Sequence, residues 1–216
     1  MTSNPDNNEL ASTYEEATDW PVASHSLLAS SGIDHLHAFV DWWPLTLGRR
    51  LGYQKAAEIL SQAMLDAHPS ERDTLVFPWL MCWRHYVELE LKYMLQLCEG
   101  ALQSPEKNRA HHKILQLWQE LKPLLVRLRP TDETAEITIV NRLITELASL
   151  DPDSMHSRYS NLKDGTPTMR NVKPLDVVEF HNAMSGMAAF FGGVTSAIEY
   201  DEEIRQEVRR EYEGGF

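Results

Sequence analysis

The segment FPWLMCWRHYVELELKYMLQL, residues 77–97, decides the fold of this chain. Most of its positions are apolar, which is typical of a helix buried over most of its circumference. Ionisable side chains interrupt it, and at about 100° per residue four of them fall within one arc of about 100°. This polar arc consists of Arg84, His85, Glu88 and Lys92. The remaining face carries large apolar side chains: Trp79, Trp83, Val87, Leu91 and Met94.

The polar arc has a structural and a functional interpretation. In the structural one, Arg84, Glu88 and Lys92 form an i, i+4 ladder worth about 0.2–0.5 kcal/mol per pair, and the arc is a solvated stripe. In the functional one, the arc lines a polar pocket. Arg84 and His85 are then catalytic candidates, and Glu88 and Lys92 are ligand-binding candidates. The pattern alone leaves both interpretations open.

Apolar residues at helical spacing recur along the rest of the chain, and no alternation typical of strands persists. Pro44 and Pro69 are expected to end helices. The predicted helices span about 33–43, 53–67, 75–100, from Pro105 to just before Pro130, 133–150, and 175–199 with continuation to 210. The expected buried positions of two of them are Ile59, Leu60, Ala63, Met64, Ala67, Ile137, Val140, Leu143, Ile144 and Leu147.

The sequence therefore predicts an all-α fold, a four- to five-helix bundle with an N-terminal helical extension. We divide the chain into a disordered acidic N-terminus at 1–20, a helical extension at 21–69, the bundle at 70–200, and a charged C-terminal tail at 201–216.

The formal net charge of -12 is concentrated at the two ends of the chain. Seven acids and no Lys or Arg precede Arg49, and residues 199–216 hold seven acids and three Arg. This balance disfavours indiscriminate nucleic-acid binding and attraction to an anionic membrane. A local basic pocket in the middle of the chain remains compatible with it.

Composition also favours a reduced, cytoplasmic protein with no membrane span. Cys82 and Cys98 fall on one predicted helix roughly 24 Å apart, too far to bridge. Residues 1–20 lack the apolar run of a secretory signal. The uncharged stretch 182–198 is shorter than the roughly 20 residues that a bilayer requires.

Three further candidates lie outside the polar arc. His112, with His111, opens the segment that follows Pro105. At a helix N-terminus the dipole disfavours the charged ring and favours a base, although a capping or solvated histidine is the alternative. Arg158 and Tyr159 lie in a polar loop, 151–174. Arg158 is suited to clamp a carboxylate or phosphate, or equally to pair with Glu88 and hold the loop.

The last long helix offers a histidine and a stripe of small residues. His181 falls on its apolar face with Met184, Ala188 and Phe191. It is expected to be either a core histidine with a hydrogen-bond partner or a ligand-binding residue. Small residues recur every four positions and allow another backbone to approach closely: Ser185, Ala189, Gly193 and Ala197. The His and Asp clusters lack a specific ligand spacing, so neither a metal nor a cofactor is predicted.

Three segments, in this order, resemble the HEPN superfamily of small α-helical domains from prokaryotic defence and toxin–antitoxin systems. RHYVELELKYML (84–95) contains a Glu-x-x-Leu-Lys pattern, HHKILQLWQEL (111–121) a His followed by Leu, and SRYSNLKDG (157–165) an Arg-Tyr-Pro-like turn with Ser160 in place of Pro. The resemblance covers about residues 75–200. It implies a four- or five-helix bundle that commonly forms homodimers.

Many members of that superfamily are metal-independent endoribonucleases whose signature is Arg, four to six residues, then His. In such a site His moves the 2′-hydroxyl proton while Arg stabilises the charge developing on phosphorus. None of the nine histidines here has an Arg at that spacing. The chain therefore departs from the nuclease pattern, unless Arg84, His85, His112 and Arg158 converge from separate segments.

Three hypotheses follow. The first is a non-catalytic HEPN-like module that binds a partner protein, a nucleotide or RNA, as a homodimer. The second is an endoribonuclease with a rearranged Arg/His site. The third is a helical structural or regulatory subunit whose polar arc is solvated.

Overall fold

In a computed structural model, the chain divides into two compact units, residues 1–40 and 41–216. The described residues are 20, 23, 26–28, 32, 37–40, 44–128 and 135–213. Within them the architecture is all-helical, and the β structure is a single bridge between Asn161 and Pro167. The five helices are α1 (Leu45–Asp66), α2 (Pro69–Ala101), α3 (Ile114–Leu128), α4 (Ala135–Leu150) and α5 (Val177–Glu213).

In the first unit, residues 37–40 are not helical, so the helix predicted over 33–43 is wrong there. The other residues of that predicted helix, 33–36 and 41–43, lie outside the described part of the chain. Residues 1–19, which were predicted to be disordered, lie outside it as well.

In the second unit, two prolines mark helix starts. Pro44 is the N-cap of α1, which begins at Leu45 rather than at Tyr53. Pro69 is the first residue of α2, where a missing N–H costs no helical hydrogen bond. The His68 side chain caps that end by accepting from the Ser70 N–H.

The face of α1 that packs inward differs from the predicted one. Met64 is buried as expected, but Ile59 is 58% exposed, and Ala57 and Ser61 are buried instead. The Trp79 indole nitrogen donates to Ser61 Oγ at 2.8 Å, and this bond satisfies two buried polar groups with α1 in the observed rotation. Ala57 and Met64 share one core with α2, so α1 is part of the bundle.

Helix α2 is the centre of the bundle, with α1, α3 and α5 packed against it. The predicted apolar face is confirmed: Trp79, Trp83, Val87, Leu91 and Met94 are all fully buried. At about 1.5–3 kcal/mol for each large side chain removed from water, this face supplies much of the drive to fold.

The segment 104–113 is not helical, although a helix was predicted to begin at Pro105. Its backbone groups bond to side chains of α2 instead: the Lys107 N–H donates to Glu99 Oε2 at 3.3 Å, and the His112 carbonyl accepts from Arg84. Arg109, 6% exposed, bridges Glu99 and Glu120 and holds the segment between α2 and α3.

The predicted core positions of α4 are confirmed, with Ile137, Val140, Ile144 and Leu147 buried and Leu143 partly buried against them. Helix α5 extends beyond the predicted range, to Glu213. Its small-residue stripe does not face a neighbouring backbone within the described chain, because a Cβ added at Gly193 would meet nothing within 4 Å.

Cys82 and Cys98 are both free and buried on α2, and burial raises the pKa of Cys98 to about 12. None of the described helices combines the length and the apolar composition needed to cross a membrane.

Candidate functional site

Two residues of the polar arc are buried, and the other two, His85 and Lys92, are half-buried. Arg84 is 0% exposed and Glu88 is 1% exposed, and they pair at 2.8 Å between Nη1 and Oε2. A solvated stripe is therefore the wrong interpretation of these two residues. An unpaired charge at either position would carry a desolvation penalty of several kcal/mol, so each makes the other tolerable in the core.

Each guanidinium nitrogen of Arg84 contacts a different part of the chain. Nη1 donates to Glu88 within α2, Nε donates to the Asp151 carbonyl at 3.1 Å, and Nη2 donates to the His112 carbonyl. Arg84 thereby joins the end of α4 and the start of α3 to the central helix. Its planar fork suits three fixed acceptors, which a lysine would not match.

The Glu88 carboxylate accepts two further hydrogen bonds at Oε1. Lys92 Nζ donates at 2.9 Å and His112 Nδ1 donates at 2.8 Å. Burial alone would raise the pKa of Glu88, but the hydrogen bonds from Lys92 and His112 and the charges of Lys92 and Arg84 outweigh it and lower that pKa. Glu88 is therefore an ionised hub that orients the His112 ring.

Asp151, which the sequence analysis did not single out, builds the loop that follows α4. It is fully buried, and its carboxylate accepts from the backbone of His156 at 3.0 Å and from the backbone and hydroxyl of Ser157 at 3.2 and 2.6 Å. Asp, and the Asp-Pro-Asp run at 151–153, are typical of side-chain-capped turns, and this was the available signal.

Arg158 and Tyr159 leave this turn toward solvent. Tyr159 is 52% exposed, Arg158 is also exposed, and its guanidinium carbon lies 5.8 Å from the Tyr159 ring centroid. Arg158 Nε donates to the Ser154 carbonyl within its own loop. The alternative in which Arg158 pairs with Glu88 is thus wrong, and Arg84 holds the loop instead, through Asp151.

His85 is half-buried beside the network, with its ring edge-on to Tyr53 at a centroid distance of 4.3 Å. Burial lowers its pKa; the charge of Glu88 opposes this shift, and Arg84, Arg158 and His112 add to it. The electrostatic environment of His85 therefore includes the charges of Arg158 and His112.

His181 lies apart from this group. Its ring is 6.0 Å from that of Trp83 on the apolar side of α2, and its Nε2 is 3.4 Å from Ser185 Oγ. This is the environment of a core histidine with a partner at Nε2 only, because Nδ1 is buried and has no hydrogen-bond partner among the described residues. Hydrogen bonds therefore join Arg84, Glu88, Lys92 and His112, and Arg84 also holds the turn that carries Arg158 and Tyr159. His85 lies beside them on α2, and His181 is the exception.

We call the outward groups of the site, His85, His112, Arg158 and Tyr159, the histidine face. His112 has its Nδ1 fixed by Glu88 and its side chain 55% exposed. The face offers one exposed cation, one exposed aromatic ring and one oriented imidazole. Within the described residues, no three His, Cys, Asp or Glu side chains group as a metal site.

Comparison with known proteins returned no match to a protein family, to a curated protein or to a solved structure.

Proposed function

We propose that this chain is a non-catalytic, HEPN-like helical module that binds a phosphate-bearing ligand, single-stranded RNA or a nucleotide, at the histidine face. The observation that carries the proposal is the difference in burial between two arginines. Arg84 is buried with all three guanidinium nitrogens engaged, whereas Arg158 is exposed beside an exposed tyrosine.

Arg84 is unsuited to catalysis in this arrangement. A catalytic arginine must contact the charge that develops on phosphorus, and Arg84 has no exposed surface. Together with the missing Arg-to-His spacing, this burial favours binding over cleavage.

The histidine face has the chemistry that nucleotides require. Arg158 can donate a charge-assisted pair of hydrogen bonds to a phosphate. Tyr159 offers an aromatic face on which an unpaired base can stack, a contact worth about 1–3 kcal/mol. His112, held by Glu88, can donate or accept at Nε2.

The net charge of -12 restricts the kind of ligand. Long nucleic acids would be repelled by the acidic remainder of the surface, so the ligand is a short single strand, a strand end or a nucleotide. Binding is then local and moderately sensitive to salt.

The test is a fluorescence-anisotropy titration of a labelled 12-nucleotide single-stranded RNA, in low salt with EDTA. Arg158→Ala should weaken binding about ten-fold, the equivalent of about 1.4 kcal/mol for one charge-assisted contact. Arg142→Ala is the matched control, because Arg142 is exposed, pairs with Glu146 on α4 and carries the same charge. Equal losses in both variants, or no binding by the unaltered protein, would contradict the proposal.

The second candidate is a metal-independent endoribonuclease, and the Glu88–His112 pair favours it. A carboxylate that fixes one ring nitrogen and leaves the other exposed is the usual arrangement for a general base. His112 would then take the 2′-hydroxyl proton while Arg158 stabilises the phosphorane charge. Recovery of cleaved RNA that depends on His112 would favour this candidate.

The homodimer and the defence or toxin–antitoxin setting belong to the same proposal, since the resemblance implies them. The exposed Gly193 side of α5 is compatible with close approach of a second backbone. Light scattering on the purified chain should give twice its 24.8 kDa mass. Replacement of Gly193 by Leu should shift that mass toward the monomer.

A further inference from the structure

A groove of about 490 Å³ runs between α4 and the start of α5, on residues that the histidine face does not include. Its floor is apolar and is formed by Leu143, Leu147, Leu150, Leu175, Phe180 and Met184. Ile139, one helical turn before Leu143, is 48% exposed and continues the apolar face along α4. An apolar groove that the described residues leave uncovered is typical of an interaction site.

The rim of the groove is acidic. Glu146, Asp176 and Glu179 line it together with one arginine, Arg142, which is already paired with Glu146 at 2.8 Å. Asp176 Oδ1 accepts from the Val178 and Glu179 N–H groups, so this carboxylate caps α5 and is fixed in place. An apolar floor with acidic edges repels fatty acids, anionic lipids and nucleic acids.

We propose that this groove binds an amphipathic helix from a partner protein, with apolar anchors toward the floor and Lys or Arg on its flanks. The groove follows α4 from Arg142 to Leu150, about 12 Å, which accommodates about two turns of a docked helix. Helix-in-groove recognition reads anchors at i, i+3 or i+4, and i+7, and flanking charges set which helices are accepted.

One exposed amphipathic segment of the described chain, the end of α5, does not fit this groove. The end of α5 carries an apolar stripe of Tyr200, Ile204, Val208 and Tyr212, all exposed. Residues 199–216 nevertheless contain seven acids and three Arg, so a second copy would bring like charge to the acidic rim. The occupant is therefore a basic helix from a different protein.

The test uses two synthetic 14-residue amphipathic peptides with identical Leu positions, one with Lys and one with Glu at every polar position. Isothermal titration should show the Lys peptide binding at least about ten-fold more tightly than the Glu peptide. The double change E146K/E179K should weaken the Lys peptide by about ten-fold. The control E207K/E211K, which alters net charge equally on exposed positions of α5, should change it by less than about two-fold.

A second variant, Ala183→Trp, fills the groove without altering charge and should abolish binding of the Lys peptide. The proposal is overturned if the control double variant weakens binding as much as the rim variant, or if Ala183→Trp binds normally. The proposal is also overturned if neither peptide binds. It is overturned as well if the protein is a homodimer that Ala183→Trp dissociates, because a second copy would then occupy the groove. RNA binding at the histidine face is unaffected in all these cases, so the two proposals fail independently.

Discussion

At the scale of single residues, Arg84 and Arg158 show how environment assigns roles to identical side chains. Arg84 has no exposed surface and three protein acceptors, and Arg158 is exposed at the edge of a loop. The same guanidinium is a structural link in one place and a candidate ligand contact in the other.

Arg84→Met should destabilise the protein by about 3 kcal/mol, because Glu88 would remain buried with its closest compensating charge removed. Urea unfolding followed by circular dichroism measures this difference. The control Arg142→Met removes an exposed i, i+4 partner and should cost about 0.5 kcal/mol or less. Similar small losses in both variants would show that the Arg84 network is not a structural link.

The stability of the fold should fall in acid partly because of Glu88. Its pKa is lower in the folded chain than the ordinary value of 4.5, so its contribution is fully present above about pH 4.5 and is lost as the pH falls through the folded value. Glu88→Gln should lower stability at pH 7 and flatten the decline below pH 4.5. Urea midpoints from pH 3 to 7 test this, with the exposed Glu211→Gln as the control.

Most residues of the site, Asp151 excepted, were predictable from sequence, and their contacts were not. Helical periodicity alone placed Arg84, Glu88 and Lys92 on one face. Asp151 and the carbonyl of His112 reach Arg84 across 67 and 28 residues of sequence, and no local pattern encodes contacts at that separation.

At the scale of elements, the turn from Asp151 to Arg158 connects the buried network with the histidine face. The Asp151 carboxylate accepts three hydrogen bonds from His156 and Ser157, and its carbonyl accepts one from Arg84. These hydrogen bonds fix the turn to the core and therefore set where Arg158 lies.

Asp151→Ala should loosen this turn while the charge of Arg158 remains. Three donors would lose their acceptor, and each buried unsatisfied group costs about 1–3 kcal/mol. Amide hydrogen exchange should accelerate at residues 154–160, and RNA affinity should fall. Unchanged exchange there, with the core still folded, would mean that Asp151 does not organise the loop.

Sequence patterns predicted the buried faces of helices better than the residues at which helices begin. The apolar faces of α2 and α4 followed from spacing, since burial repeats with the helical period. The segment 104–113 contains a helix-start signal at Pro105. Its backbone groups nevertheless form hydrogen bonds with side chains of α2 instead of with one another. Tertiary hydrogen bonds overrode local propensity, and only the packed structure reveals such competition.

At the scale of the whole molecule, the bundle and the end of α5 should be separable. Residues 203–212 are all exposed, and Arg205 links this end to the bundle by donating to the Ala101 carbonyl. Deletion of residues 206–216 should leave the free energy of unfolding within about 0.5 kcal/mol and reduce the helical circular dichroism signal. A large loss of stability would mean that this end packs on the bundle.

Binding of RNA without cleavage can be tested on a single sample. The 12-nucleotide RNA, labelled at its 5′ end, is incubated with the unaltered protein and EDTA, separated on a native gel, and recovered from the shifted band for a denaturing gel. If the chain binds without cleaving, we expect a shifted complex from which the RNA is recovered intact, and a shift that is lost in Arg158→Ala. Fragmented RNA that becomes intact in His112→Ala would contradict it and make the histidine face a nuclease site.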